Sequence, residues 1–400
     1  MRVLFFADSF DKYGAQKSLR EIVAYFAKKG VQCLVVAPGS GPTAADLRNA
    51  GASVSCMRHW ARLLPGKGAF AVLIWIIKLL MNICQFLAMI GMYRPAVVYT
   101  NCCHSAAAAI AAKIAGVPHI WHIRTNFKTS PYKPTAHINW LAKALDLLSD
   151  RIVFVSRLAL ASVYPNDCPK AVTVHNGIDT DVFRPRVLDG ADGRSVNNKD
   201  LCVRLGFFGA VRHIKGLDIL LRAIALVREN HANICLDVWG DLLAYDGPEY
   251  MEYVKELCAG LGISDLVRFN GYCEKTSSVL PDYDLIVVPS RTESFSRVTL
   301  EAMSCGVPVV AAACGGPEEL IEDGVTGRIV PVEDHKALAK AIIGVLEDPV
   351  HATSMANAAR KKAQAQFDLT AQLNKILNLI CEVSQKHPIK RPRLYRGSEI

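Results

Sequence analysis

Two carboxylates with seven residues between them, Glu293 and Glu301, stand in the segment Ser290-Arg291-Thr292-Glu293-Ser294-Phe295-Ser296-Arg297-Val298-Thr299-Leu300-Glu301. An apolar run, 285–289, precedes it, and Ala302-Met303-Ser304-Cys305-Gly306 follows. That order predicts a strand, a tight polar loop, and a helix capped near Ser296 and ended by Gly306. The backbone N–H groups at such a helix start, around Ser294, Phe295 and Ser296, form an anion site. Glu293 in the loop and Glu301 inside the helix can hydrogen-bond sugar hydroxyls on either side of a bound phosphate. As bare sequence they can equally be solvated surface charges.

Three other positions fit the same chemistry. Phe208-Gly209-Ala210-Val211-Arg212-His213-Ile214-Lys215-Gly216 reads as a strand end, a glycine-flanked turn and a helix start. Lys215 there can meet a diphosphate as a point charge, or be an ordinary surface lysine. Tyr13-Gly14-Ala15-Gln16-Lys17-Ser18 follows the first strand and opens a helix, and Gly14 lets the backbone approach a ligand. His122 ends the run from Pro118, where a doubly wound sheet points side chains into its ligand crevice. His104 is the alternative histidine, and Arg124 could meet an anionic acceptor or form a surface ion pair. Asp179-Thr180-Asp181 has the form of a metal-binding D-x-D and Gly39-Ser40-Gly41 with Ala44 that of a dinucleotide fingerprint. Both are rejected on position, the second because it follows the second strand rather than the first.

Parallel sheets are needed to hold these residues. Candidate strands fall at 3–7, 32–37, 96–100, 119–122 and 151–156, then at 203–208, 234–239, 266–269, 285–289 and 307–312. Helical stretches lie between them, as at 18–29, 43–50, 105–115, 216–230 and 250–261. This alternation predicts an α/β chain of two doubly wound parallel-sheet domains with five strands each. The polar stretch 186–200 divides an N-terminal domain, 1–185, from a C-terminal one, 201–367. A last helix, 368–385, and a basic tail, 386–400, follow. The segment 70–92 is almost wholly apolar, with Lys78, Asn82 and Gln85 on one helical stripe. It is long enough to span a bilayer. The aligned polar residues instead suit a helix lying in a membrane interface, or one buried on three sides.

With 51% apolar and 21% charged residues, the 400-residue chain can bury two cores and is not disordered. Lys and Arg number 46 against 37 Asp and Glu, leaving +9, which suits a phosphate ligand or an anionic membrane surface. The excess is too diffuse for a nucleic-acid footprint, and no zinc-finger, RRM or basic-zipper pattern occurs. The thirteen cysteines contain no C-x-x-C and read as reduced, and the N-terminus runs straight into a strand without signal-peptide architecture. Both features point to the cytoplasm.

The spacing of Glu293 and Glu301, followed by Ala302-Met303 and Gly306-Val307-Pro308-Val309-Val310, resembles the signature of the retaining enzymes of glycosyltransferase family 4. Upstream, Phe269-Asn270-Gly271, Val238-Trp239-Gly240-Asp241 and 208–218 extend the likeness over nearly all of 203–349. The resemblance implies the GT-B architecture of two facing Rossmann-like domains. It implies transfer of a sugar from a UDP- or GDP-linked donor, with retention, to a glycan or lipid-linked glycan acceptor. The setting would be cell-surface polysaccharide or lipopolysaccharide synthesis, in the cytoplasm or peripherally on the inner face of the plasma membrane. Residue by residue, it places Glu293 on the donor sugar, Glu301 on the ribose and His122 on the transferred sugar. Lys215, Gly14 and the amides of Ser294, Phe295 and Ser296 would meet the diphosphate. No metal and no cofactor beyond the donor is implied. The sequence departs from the family twice: Ala210 replaces an arginine, leaving Arg212 as the nearest candidate for its role, and Tyr13 replaces a glycine. UDP-sugar 2-epimerases, glycogen-type phosphorylases and non-catalytic nucleotide-sugar binders share the architecture and stand as alternatives.

Overall fold

The computed structural model describes residues 1–11, 14–57, 68–103, 105–127, 138–186, 202–241 and 247–386. Tyr13, His104, nearly all of the divider 186–200 and the tail beyond Lys386 lie outside these.

The N-terminal half runs β1 (Arg2–Ala7), α1 (Gly14–Lys28), β2 (Gln32–Pro38), α2 (Thr43–Asn49), β3 (Ser53–Met57), α3 (Ala69–Tyr93) and β4 (Val97–Asn101). It continues with α4 (Ala107–Ala115), β5 (His119–Ile123), α5 (Ile138–Leu148), β6 (Arg151–Phe154), α6 (Arg157–Val163) and β7 (Ala171–Thr173). The other half runs β8 (Val203–Phe208), α7 (Leu217–Asn230), β9 (Ile234–Trp239), α8 (Gly247–Gly260), β10 (Val267–Gly271), α9 (Thr276–Val279) and β11 (Leu285–Val288). Then come α10 (Arg297–Ser304), β12 (Val309–Ala312), α11 (Pro317–Leu320), β13 (Arg328–Val330), α12 (His335–Glu347), α13 (Pro349–Gln366) and α14 (Leu369–Lys386). The strands form two parallel sheets, ordered β3-β2-β1-β4-β5-β6-β7 and β10-β9-β8-β11-β12-β13.

Central strands such as β4 and β5 are buried at every residue, as a sheet covered on both faces demands. Helix α1 covers its sheet with Leu19, Ile22, Val23 and Phe26, one stripe at helical spacing, packed with Val3 and Phe5. Helix α14 does the same from the far end of the chain. Its Leu373, Ile376, Ile380 and Val383 belong to the N-terminal core. The chain therefore crosses between the domains twice, and the crossings are bonded side by side. Ile178 N donates to Phe367 O at 2.8 Å, and Leu369 N donates to Ile178 O at 3.0 Å.

Two expectations need correction. Among the described residues the sheets have seven and six strands rather than five each. The additions β3, β7 and β13 all sit at sheet edges, where short, half-exposed segments lack an apolar run. The cysteines are not all reduced, because Cys202 and Cys235 form a disulfide. Val203 and Ile234, beside them, are partners in the β8–β9 ladder, which brings the two thiols together.

Candidate active site

Both sheets reverse strand order once, between β1 and β4 and between β8 and β11. In open parallel sheets a crevice opens there, beyond the C-terminal strand ends. Residues from the two crevices line one cleft of about 530 Å³, with Gly14 and Lys17 on one wall and Gly209, Ala210, Gly240 and Glu301 on the other. A smaller recess of about 150 Å³ shares Gly14 and Arg297 with it and adds Arg124, Asn176, Glu293, Ser294 and Phe295. Gly240 is a steric need, since a Cβ there would strike the Gly209 carbonyl.

Helix α10 opens with Ser296, whose Oγ accepts from Thr299 N, so the loop ahead of it presents N–H groups to the recess. Lys215 reaches that loop by another route. It ends a 3-10 turn, His213–Lys215, closed by Gly216 in the left-handed region, φ 69°. A side chain at Gly216 would also strike the Pro289 carbonyl. Arg291 N donates to Ile214 O at 2.9 Å, and the Arg291 guanidinium grips both carboxylate oxygens of Asp218 at 2.9 and 2.8 Å. Its hydrogen bonds to Asp218 push the Arg291 pKa up. Burial pushes Asp218 up too, but Arg291 holds it below the usual carboxylate range. The two loops are thus locked together.

Lys215 Nζ consequently donates to Glu293 Oε1 at 2.6 Å, and Ser290 Oγ donates to the same oxygen at 3.0 Å. Glu301 is held in the same manner from across the cleft. Lys17 Nζ donates to its Oε1 at 2.9 Å, and Thr276 Oγ1 to its Oε2 at 3.0 Å. Each carboxylate of the motif therefore carries a lysine.

Arg297 bridges the domains. Its guanidinium meets Glu21 at 2.7 and 3.1 Å and Ser18 Oγ at 2.9 Å, with Glu301 at 3.7 Å. Ser18 Oγ in turn donates to Asn176 Oδ1 at 3.2 Å, which also accepts from Arg124 at 2.8 Å. Further bridges are Asn126 N to Ser294 Oγ, 2.8 Å, and His175 Nε2 with Glu319 Oε2, 2.8 Å.

His122 is fully buried at the end of β5. Burial, then the Arg124 charge, hold its pKa well below the usual histidine range, so the ring is neutral. Tyr99 Oη lies 2.5 Å and Arg124 Nη2 3.4 Å from Nδ1. An arginine can only donate, so Nδ1 accepts and the proton resides on Nε2, which has no hydrogen-bond partner.

The structure thus gathers Gly14, Glu293, Ser294, Phe295 and Glu301 on the cleft and its recess, with Ser296 capping the helix and Lys215 bonded to Glu293. Ala210 lines the cleft, but Arg212, two residues on, does not. The guanidinium groups that line the cleft are those of Arg20 and Arg297. Lys17, Arg297 and Asn176 were not singled out from sequence. Arg297 carried a signal, because a cation on the first residue of a helix opposes the helix dipole and needs a partner elsewhere. Among the described residues no three His, Cys, Asp or Glu side chains cluster as a metal site. Asp179 Oδ1 accepts from the backbone of Asp181 and Val182, and so closes a turn.

The chain is similar to known proteins over both of its domains. A D-inositol 3-phosphate glycosyltransferase of Kribbella flavida is 34% identical over 222 residues, 53% of this chain and 51% of that one. Its counterpart from Mycolicibacterium smegmatis is 33% identical over 251 residues, 61% of this chain and 56% of that one. The chain thus spans about half the length of the relatives it matches. Among solved structures, Anabaena Alr3699/HepE in complex with UDP and glucose superposes with a TM-score of 0.79 at 22% identity, over 95% of this chain and 99% of that one. Sucrose-phosphate synthase from Thermosynechococcus elongatus gives 0.77 at 19% identity, over 96% and 100%. These likenesses establish the GT-B fold. The description Glycosyltransferase Family 4 matches residues 13–182 and Glycosyl transferases group 1 matches residues 197–362, one on each domain. On these matches the chain belongs to glycosyltransferase family 4.

Proposed function

We propose that the cleft binds a nucleotide sugar and that the chain transfers its sugar, with retention and without a metal, to a glycan or lipid-linked glycan. One observation carries the reading: both carboxylates of the motif are paired with lysines beside the start of α10. A nucleotide sugar offers the complementary set, hydroxyls for carboxylates and a diphosphate for ammonium groups. On binding, Glu301 exchanges Lys17 for ribose hydroxyls, and Glu293 exchanges Lys215 for those of the sugar. The lysines are then free to meet the diphosphate.

Departure of the diphosphate is the hard step. Lys215 and the α10 amides stabilise the charge that develops on it, aided by Arg297. His122 Nε2–H, buried and unpartnered, suits a hydroxyl of the transferred sugar. With the donor bound, Glu293 is engaged by the hydroxyls of the sugar and by Ser290, which leaves it poorly placed as a covalent nucleophile. The acceptor oxygen therefore attacks on the face the leaving group vacates.

The relatives named for D-inositol 3-phosphate add a phosphorylated polyol to the acceptors worth testing. Labelled UDP- and GDP-sugars should be incubated with lipid extract, with D-inositol 3-phosphate, and with no acceptor. An α-linked product from an α-linked donor, unaffected by EDTA, is the expected result. Donor turnover without acceptor would point to an epimerase instead. Loss of donor binding on chelation, restored by manganese, would overturn metal independence.

A further inference from the structure

Helix α3 is the anomaly of the fold. It is 25 residues long, apolar enough to cross a membrane, and mostly uncovered. At 1.5 Å per residue it measures about 37 Å, whereas β1 and β4, against which it packs, measure about 20 Å. Its C-terminal end is fixed at the N-terminal edge of the sheet, where Arg2 Nη1 donates to Tyr93 O at 3.1 Å. The excess length must project at the other end, beyond the C-terminal edge that carries Gly14, His122 and Arg124. The burial pattern agrees. The buried side chains Asn82, Phe86 and Ile90 all lie in the second half. The partly buried ones that join them in the core begin only at Leu79. The projecting half carries Phe70, Leu73, Ile77 and Leu80, 76%, 54%, 49% and 57% exposed. At 100° per residue, Leu73, Ile77, Leu80 and Cys84 form one line along the axis, opposite Asn82 and Phe86.

The stretch of sequence that contains α3 carries charge of one sign. From residue 47 to residue 145 the sequence has no Asp or Glu and eleven Lys and Arg, more than the chain's whole net charge of +9. Lys78 on α3, Arg94 at its end and Lys113 on the adjacent α4 are all exposed. Near α4's end Ile114 extends the apolar surface. An apolar line parallel to the helix axis, in a stretch of sequence that has cations and no anions, matches a helix lying flat in an anionic bilayer interface. A spanning helix would have no use for the buried face that binds the sheet. A second copy of the chain would meet the same positive charge.

We infer that α3 docks the N-terminal domain on an anionic lipid surface. Because the projecting half overhangs the cleft side of the sheet, that surface is held where the acceptor enters, so the acceptor is itself membrane-held. The second clause rests on the proposed transferase activity; the docking does not.

The test is flotation of the full chain with vesicles of phosphatidylcholine alone or mixed with phosphatidylglycerol, at low and high salt. The chain should float with the mixed vesicles at low salt and be released by alkaline carbonate. Leu73→Ser, Ile77→Ser and Leu80→Ser together should weaken partitioning about a hundred-fold, with an unchanged melting temperature. Val350→Ser, on the other domain, should change nothing. A brominated-lipid probe should quench a fluorophore attached at Leu73→Cys. The docking is overturned if the wild-type chain stays below the vesicles, or if the triple variant floats as well as wild type. Resistance to carbonate would mean a spanning helix, and self-association lost in the triple variant without flotation would mean a dimer face. Flotation reads no turnover, so failure of the docking and failure of the transferase reading are separable. If docking holds but a soluble acceptor is used as efficiently by the triple variant on vesicles as by wild type, the acceptor clause falls.

Discussion

Replacing Glu293 by Gln should move two measurements in opposite directions. In the free protein the carboxylate holds Lys215 at 2.6 Å, with side chains 15% and 29% exposed. Exposed ion pairs contribute about 0.2–1 kcal/mol, and sheltered hydrogen bonds to charged groups about 1.5–3 kcal/mol. About 1–2 kcal/mol is reasonable for this half-sheltered pair. A diphosphate that recruits Lys215 must first overcome that amount. Glu293→Gln keeps the shape and an oxygen for Ser290 but drops the charge, so UDP alone should bind about 5- to 30-fold more tightly. Turnover should fall, because the donor sugar loses a charged acceptor for its hydroxyls. A loss comparable to one preorganised group is about 2–4 kcal/mol, or roughly 30- to 1,000-fold in kcat/KM. Calorimetry with UDP and with GDP reads the first effect, and steady-state kinetics the second. Lys215→Ala should weaken both. Unchanged or weaker UDP binding in Glu293→Gln would refute the idea that the carboxylate and the diphosphate compete for one lysine.

Arg297→Ala should reduce turnover more than Arg212→Ala, since only the former lines the cleft; the reverse ranking would assign the leaving-group cation to Arg212. His119 and His122 are buried with pKa values pushed down by burial, His119 to about 3. The unfolded chain therefore takes up protons first, and stability that is full above about pH 6.5 is lost below it. Each histidine contributes a slope of about 1.4 kcal/mol per pH unit, which denaturant melts should show flattened in His119→Gln between pH 6 and 4. Ile380→Ala, in the core formed by α14 and the N-terminal sheet, should destabilise by about 2–5 kcal/mol in the same melts.

The parts legible in sequence are those with a local period. The strand, loop and capped helix around Glu293 could be read because every step lies within twenty residues. So could α1, whose buried stripe repeats at helical spacing. What escaped is long-range pairing. Lys215 and Glu293 are 78 positions apart, and Lys17 and Glu301 are 284 apart. Nothing in either neighbourhood shows that the two lysines are held by the two carboxylates. Cys202 was hidden for the same reason, as it stands at the end of a polar stretch while its partner sits in a strand. Edge strands escaped for another reason. Ser53–Met57 is half-exposed, with no clean alternation to separate it from a loop.

The return of α14 to the N-terminal sheet bears on the order in which the chain can mature. Residues 1–185 are made early, but the groove that takes Leu373, Ile376, Ile380 and Val383 is filled only at the end of synthesis. Burying four such side chains contributes about 1.5–3 kcal/mol each, comparable to the entire stability of many domains. The first-made half therefore waits, with apolar surface open, while nearly two hundred residues are added. The C-terminal domain, whose own core is built from Leu205 to Met355, has no such debt to later sequence. The later half of the chain is thus free to fold first and deliver the helix that completes the earlier one. A stop codon between residues 368 and 373 would leave the C-terminal domain intact and the N-terminal domain unfinished.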